Sequence, residues 1–347
     1  MTPFQRPIFY FSLIVFLQLF ANTQTYGQDP QFSQFYASQL YLNPAFAGGG
    51  EEGRMGINYR NQWPSLPASF VTYTAWADFA LPEYNSGLGV LIMTDQEGQA
   101  GLRSTTAALS YAYQLQLSKT LTFRPGVSVG YMRRNVDFSQ LVFASQLDPT
   151  GGFDPNLPNL TNSGLNTNLM SIDLGGLFYT ETAWLGASFA HVNQPNESLT
   201  GEISTLPMRT SIHGGWKIPL ASGPRKYELA YTFKERAVVP VFQYRSQANF
   251  QQLDIGSYLY LEPLVVGLWY RGLPISMLNT LPYNESLIML VGLSYDNLSV
   301  GYSYDFTVSR FGASSGGAHE LSITYLFPIS DERRPVVNKR PIPLPKF

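Results

Sequence analysis

Residues 298–306 read Leu-Ser-Val-Gly-Tyr-Ser-Tyr-Asp-Phe, and this alternation constrains the fold more than any other feature of the chain. Successive side chains of a strand point to opposite faces. One face therefore carries Leu298, Val300, Tyr302, Tyr304 and Phe306, and the other Ser299, Gly301, Ser303 and Asp305. The split recurs. Leu109, Tyr111, Tyr113 and Leu115 oppose Ala108, Ser110, Ala112 and Gln114, and Leu321, Ile323, Tyr325 and Phe327 oppose Glu320, Ser322 and Thr324. Between residues 53 and 327 the pattern repeats in segments of about ten residues separated by turn residues. The stretch 226–247 reads as one bent strand or two, and the even strand number of bacterial single-chain barrels settles the expectation on 14 strands.

The two faces decide which all-β fold this is. A soluble sandwich would expose Lys and Glu on its outer face, whereas here the second face is Gly, Ser, Ala and Thr. Charged residues make up 13% of the chain and aromatic residues 14%, while the mean hydropathy is −0.07. Low charge, many aromatics and middling hydropathy fit strands with one lipid-facing and one lumen-facing side, with tyrosines near strand ends as interfacial girdles. The expected fold is an all-β transmembrane antiparallel barrel over residues 53–327. A formal net charge of −2 excludes the basic face a nucleic-acid partner needs, and the absence of cysteine excludes disulfides and thiol chemistry.

The connections are unequal. Ser118-Lys119, Thr180-Glu181-Thr182, Glu262-Pro263 and Asp296-Asn297 read as tight turns, and 135–168, 193–207, 272–285 and 309–319 as long loops. Barrels of this kind keep short turns in the periplasm and long loops outside the cell. Asp148 and Asp154 in the longest loop match no strict calcium-loop spacing.

Three segments lie outside the strand pattern. Arg6 precedes an apolar run of 13 residues, 8–20, too short for a membrane helix and of signal-peptide length, which predicts a signal peptide over 1–27 with cleavage after Gly27; Ala21 is the second candidate. Residues 28–52 are aromatic and nearly uncharged before the first strand, so Phe32, Phe35, Tyr36, Tyr41, Asn43, Pro44 and Phe46 are expected to form a plug, a barrel-packing segment or a partner-binding surface. Residues 328–347 carry a net +3 and five prolines, which favours an extended, solvated periplasmic tail.

No catalytic constellation is legible. His191, His213 and His319 stand at no metal-ligand spacing, and no nucleophile elbow or phosphate-binding glycine loop occurs, so no cofactor is expected. Alternation instead assigns a set of mixed charges to the lumen: Arg54, Arg60, Asp78, Arg124, Asp173, Arg209, Arg271, Asp305 and Glu320, with Lys217 and Glu228. They read either as a pairing network that stiffens the interior or as the lining of a channel or peptide-binding surface.

The opening Gln28-Asp29-Pro30-Gln31-Phe32-Ser33-Gln34-Phe35-Tyr36, followed by Asn43-Pro44-Ala45-Phe46-Ala47-Gly48, resembles that of the PorP/SprF family of outer-membrane proteins. The likeness continues through Tyr59-Arg60-Asn61-Gln62-Trp63-Pro64 and Thr72-Tyr73, and resumes at Gly301-Tyr302-Ser303-Tyr304-Asp305 and Gly317-Ala318-His319-Glu320. The family usually has Ser where Ala318 stands. The resemblance implies a non-enzymatic component of type IX secretion and gliding in Bacteroidota. Its implied partners are a secreted adhesin-like cargo with a type IX C-terminal signal, other periplasmic and outer-membrane secretion components, and the lipid bilayer. The alternative is a diffusion porin or transporter, favoured by the mixed-charge lumen.

Overall fold

The structure, a computed structural model, describes residues 28–50, 53–66, 69–98, 101–136, 165–220, 236–272, 284–308, 313–327 and 341–343. Fourteen long strands form one antiparallel sheet: β1 (Gly53–Gln62), β2 (Phe70–Leu81), β3 (Ser86–Glu97), β4 (Leu102–Tyr113), β5 (Thr122–Val136), β6 (Leu165–Tyr179), β7 (Ala183–Ala190), β8 (Arg209–Trp216), β9 (Arg236–Gln247), β10 (Phe250–Leu261), β11 (Leu264–Gly272), β12 (Asn284–Tyr295), β13 (Leu298–Thr307) and β14 (Ala318–Phe327). Two-residue extensions, Leu115–Gln116 and Ile218–Pro219, continue β4 and β8. Each strand pairs with its sequence neighbours. Pairing of β14 with β1, from Gly53 opposite Phe327 to Gln62 opposite Ala318, closes the sheet into a barrel. Closure leaves no free edge, which is what lets a sheet satisfy its backbone in hydrocarbon.

The exterior is a band of large apolar side chains. Ile57, Leu109, Val129, Leu185, Leu268 and Val291 are all exposed, while the alternate residues point inward and are buried. The strand expected at 226–233 lies outside the described residues, and β9 begins at Arg236. The predicted tight turns all fall at the end where β1 starts and β14 stops, so that end faces the periplasm. One connection there is not short: residues 221–235 stand between Leu220 and β9.

The wall is lowest at β7 and β8, each of eight residues, beside β6 of fifteen. Strand pairing of β6 with β7 stops at Leu174–Phe189. Above it the chain leaving β7 covers the β6 edge. Val192 N–H donates to Ile172 O at 2.9 Å, and the Asn193 side chain accepts from Ile172 N–H at 3.0 Å and donates to Met170 O at 2.7 Å. An amide side chain thus stands in for a missing strand, and the loop beyond it turns in over the lumen.

Among the described residues no helix is long and apolar enough to cross a membrane; the closed barrel with its apolar exterior crosses with its strands. A charge on the outer face is therefore costly in proportion to its depth. Leu109→Arg, mid-way along β4, is expected to lower stability in vesicles by about 2–4 kcal/mol, and Tyr113→Arg at its periplasmic end by no more than about 1 kcal/mol. Urea unfolding followed by loss of the compact, heat-modifiable gel band measures both, and equal costs would contradict this placement of the bilayer.

Candidate functional site: a segment threaded through the lumen

Residues 28–50 run down the inside of the barrel from the loop end to the periplasmic end. The short helix α1 (Gln39–Leu42) and a 3-10 turn (Pro44–Phe46) are the only regular pieces of this segment. Asn43 links them: its side-chain oxygen accepts from Ala45 N–H at 2.9 Å, capping the turn where Pro44 supplies no donor.

One face of the segment is apolar. Phe35, Tyr36, Leu42 and Phe46 pack into a cluster with Leu177, Trp184, Val241, Tyr258, Trp269, Ile288 and Leu290 from the wall. Tyr36 meets Trp184 edge-on at 5.5 Å, accepts its indole N–H at 2.9 Å, and donates its own hydroxyl to Gly214 O at 3.3 Å. Each buried aromatic of this kind contributes about 1.5–3 kcal/mol. The inward residues Val265, Trp269, Ile288 and Leu290 of β11 and β12 are consequently as apolar as their outward neighbours, and polarity returns inside only toward the loop end, at Arg271 and Ser286.

The other face is polar, and the wall opposite it is charged. Near the loop end Ser33 and Gln34 N–H donate to the two Glu320 carboxylate oxygens at 2.7 and 3.1 Å, and Ser33 Oγ donates to Asp305 at 2.6 Å. Arg60 pairs with Asp305 at 3.0 Å and Glu320 at 3.1 Å, and Arg271 pairs with Asp305 at 3.0 Å and Asp254 at 3.1 Å. Lower down, Arg54 binds Asp78 through Nε (2.9 Å) and Nη2 (2.5 Å) while donating to Gln39 Oε1 (2.6 Å) and Phe46 O (3.2 Å); Gly48 N–H donates to the same Asp78 at 2.7 Å. Arg124 donates to the carbonyls of Ala45 and Ala47. Every guanidinium here is buried, so each needs these partners.

Close approach requires small residues in the wall. A side chain at Gly126 would strike the Pro44–Ala45 backbone, and one at Gly175 would strike the Asn43 amide. That amide instead donates to Gly176 O (3.2 Å) and Ala187 O (3.1 Å) and lies 3.2 Å from His213 Nε2.

At the loop end Asp29 pairs with His191 at 2.8 Å and Arg209 at 2.9 Å. His191 has φ +56°, a left-handed backbone that is unfavourable for a side chain of its size. It is held there by its N–H bond to Asp173 (2.9 Å) and a ring contact to Ser171 Oγ (2.7 Å). Burial would raise the Asp29 carboxyl, but His191 and Arg209 outweigh it and hold the group well below its ordinary 3.8. Burial would lower His191, but Asp29 outweighs it and raises the ring above 6.5.

The structure brings together most of the lumen residues expected from alternation. Arg54, Arg60, Asp78, Arg124, Arg209, Arg271, Asp305 and Glu320 are buried inside, and Asp173 is half-buried at the loop end. Lys217 sits half-buried at the periplasmic rim, and Glu228 lies outside the described residues. Phe32, Phe35, Tyr36, Asn43, Pro44 and Phe46 are buried, with Tyr41 half-buried under Arg209. Sequence reasoning missed Asp29, Ser33, Gln34, Arg245 and Asp254. Asp254 was findable as the inward partner of Arg271 in the β10–β11 register. Asp29 was not, because its partners His191 and Arg209 are distant in sequence. The tail also differs from a fully solvated extension: Ile342 is buried among the cluster around Phe46, and its N–H donates to Gly49 O at 3.1 Å. An apolar side chain between two prolines is pre-extended for such a contact.

Toward the loop end the segment leaves the β3–β6 wall, where a small cavity, partly open to solvent, is lined by Leu40, Tyr41, Met93, Thr106, Arg134 and Leu206 among others. No cluster of metal-ligating side chains occurs among the described residues.

Residues 24–325 match a family described as type IX secretion system membrane protein PorP/SprF. A search of curated proteins finds no match. Among solved structures the chain is similar to a Pseudomonas aeruginosa FadL homologue, with 12% identity, 83% of this chain and 94% of that one covered, and a TM-score of 0.44. The toluene transporter TodX of P. putida gives 12% identity, 83% and 93% coverage, and a TM-score of 0.47.

Two outcomes follow from the buried ion pairs. Arg60→Met removes the ion-pair partner of Glu320 and leaves Asp305 with Arg271 alone, and is expected to cost about 3–5 kcal/mol in denaturant unfolding, and a triple change that also neutralises both acids should recover part of it. The second outcome concerns pH. Charged His191 stabilises fully below 6.5 and this is lost as pH rises through its raised value; ionised Asp29 stabilises above 3.8 and this is lost as pH falls through its lowered value. The 28–34 stretch should thus resist proteolysis best between those limits and loosen at alkaline pH, and Asp29→Asn should abolish that alkaline limb.

Proposed function

The chain belongs to the PorP/SprF family of type IX secretion system membrane proteins, and from that premise we propose that it is a non-enzymatic barrel that binds and exports, or anchors at the surface, a secreted adhesin-like protein carrying a type IX C-terminal signal. As a family member with a closed, lipid-facing barrel, it is an outer-membrane component of type IX secretion. Cargo binding, export through a signal peptide over 1–27, and a part in gliding belong to the proposal.

The observation that carries it is the occupied lumen. A diffusion porin needs a polar passage from end to end. Here residues 28–50 run the length of the interior, and their polar groups are taken up by the wall arginines and carboxylates. A barrel filled in this way serves as a rigid platform, and contact with other proteins falls to its loops and ends. The basic tail, held to the barrel at Ile342, is a suitable site for periplasmic secretion components.

Deleting the gene should remove one surface protein while leaving small-solute uptake unchanged. Purified protein in planar bilayers should stay closed, and a chain lacking 29–48 should conduct. Normal surface display in the deletion strain, together with an open wild-type channel, would favour the porin reading instead.

A further inference from the structure

Closure pairs the strands through the apolar band, but β6 rises past its neighbour. Its pairing with β7 stops at Leu174–Phe189, whereas on the other side it stays paired with β5 up to Leu165 opposite Val136. The chain leaving β7 covers only part of the edge left over. Val192 N–H donates to Ile172 O, and the Asn193 side chain takes Ile172 N–H and donates to Met170 O. Ile172 therefore turns its backbone groups to the β7 side. By the two-residue period of a strand, Met170, Asn168 and Asn166 do the same. Cover ends at Met170 O. The Met170 N–H, and the N–H and C=O of Asn168 and Asn166, have no hydrogen-bond partner among the described residues.

This edge lies above the bilayer. Along β6 the outward side chains change from Leu174, Ile172 and Met170 to Asn168 and Asn166, all of them exposed. Beside the two asparagines, β5 and β4 place Asn135, Arg133 and Arg103 on the same face. Charge and amide on the outer face belong beyond the hydrocarbon. An unpaired edge is not kept in hydrocarbon. Asn193 accordingly caps the apolar stretch and stops where the polar residues begin. Nothing blunts the edge above it: residues 165–170 hold no proline and no charge, and their pairing with β5 has no bulge.

We propose that the β6 edge at 166–170 docks an extended strand of a partner polypeptide, which adds to the sheet above β7 and runs antiparallel to β6. Partner residues opposite Asn166, Asn168 and Met170 exchange backbone hydrogen bonds with them and carry their side chains on the outer face, where small polar groups suit the neighbouring amides. The residues between point inward beside Leu165 and Leu169 and are apolar. About five residues fill the edge, at about 3.4 Å each. A lipid headgroup offers no such repeat of donors and acceptors, whereas an added strand does. A second copy does not fit. Barrel strands tilt by about 35–45°, so two barrels related by an axis along the membrane normal would cross these edges at about 70–90° instead of laying them side by side. The assignment does not depend on the partner being a secreted cargo.

The test is fluorescence anisotropy of the labelled peptide Lys-Thr-Val-Thr-Val-Thr-Lys-amide with the detergent-solubilised full chain. The peptide should bind. N-methylation of its threonines removes the N–H groups that face β6 and should weaken binding at least tenfold. N-methylation of its valines, whose N–H groups face away, should change binding less than twofold. Asn168→Pro removes an N–H that only the partner uses, a position where an edge strand tolerates proline. This variant should keep the compact gel band of a folded barrel and bind at least tenfold more weakly. If it lacks that band, the two methylated peptides decide. Absent binding, equal losses or the reverse order with the methylated peptides, or unchanged affinity in folded Asn168→Pro overturns the proposal. Binding that appears only in a chain lacking 140–160 gives the edge to this chain's own loop, and a doubled particle mass that Asn168→Pro halves gives it to a second copy; either result overturns the proposal as well.

Discussion

A closed sheet of fourteen strands encloses more space than its own inward side chains can fill, and that geometric surplus governs the rest of this molecule. Closure is forced by the bilayer, where an unpaired backbone edge is too costly to keep. The enclosed volume must then hold water, ligand or protein. Here the chain supplies residues 28–50 from its own N-terminal side, and the lumen becomes a core with two chemistries.

Those two chemistries explain the uneven strands. Against the aromatic face of the segment, β11 and β12 present Val265, Trp269, Ile288 and Leu290, so the stretches 265–269 and 288–290 are apolar on both sides, while Arg271 and Ser286 toward the loop end keep the inward face polar. Against its backbone, β1, β2, β5, β13 and β14 present Arg54, Asp78, Arg60, Arg124, Asp305 and Glu320. The arginines bind carbonyls, and Asp78 and Glu320 take N–H groups, of a stretch with little secondary structure to satisfy its own. Breaking any one pair leaves a charge buried with nothing to replace it, which makes the network stiff and intolerant of single changes.

The two ends differ for the same reason. At the periplasmic end the segment fills the barrel and the tail adds Ile342 beneath it. At the loop end it leans away from β3–β6, where the wall is lined by Ser104, Thr106, Ala108, Ser128 and Gly130, and small side chains leave a cavity. The low wall at β7–β8 admits the hairpin that covers it. The described residues thus leave a filled base at one end and a recessed, covered pocket at the other.

Much of this was legible in the chain. Strict alternation in stretches such as 298–306 and 121–131 pointed to strands, their lipid and lumen faces and a membrane barrel, because a soluble sandwich would expose Lys and Glu where this chain has small residues, and the even strand number of bacterial barrels settled a count of 14 or 15 segments on fourteen. The apolar runs Leu-Ile-Met-Leu-Val in β12 and Leu-Val-Val-Gly-Leu in β11 carried a further signal, that something apolar lies inside, which reading one strand at a time does not extract. Only the tertiary structure decided where the N-terminal segment goes, which arginine holds which carbonyl, that Asp29 meets His191 and Arg209, and that Ile342 returns to the base. Those contacts join residues far apart in sequence, and they follow from register, shear and the shape of the enclosed space, none of which a local pattern records.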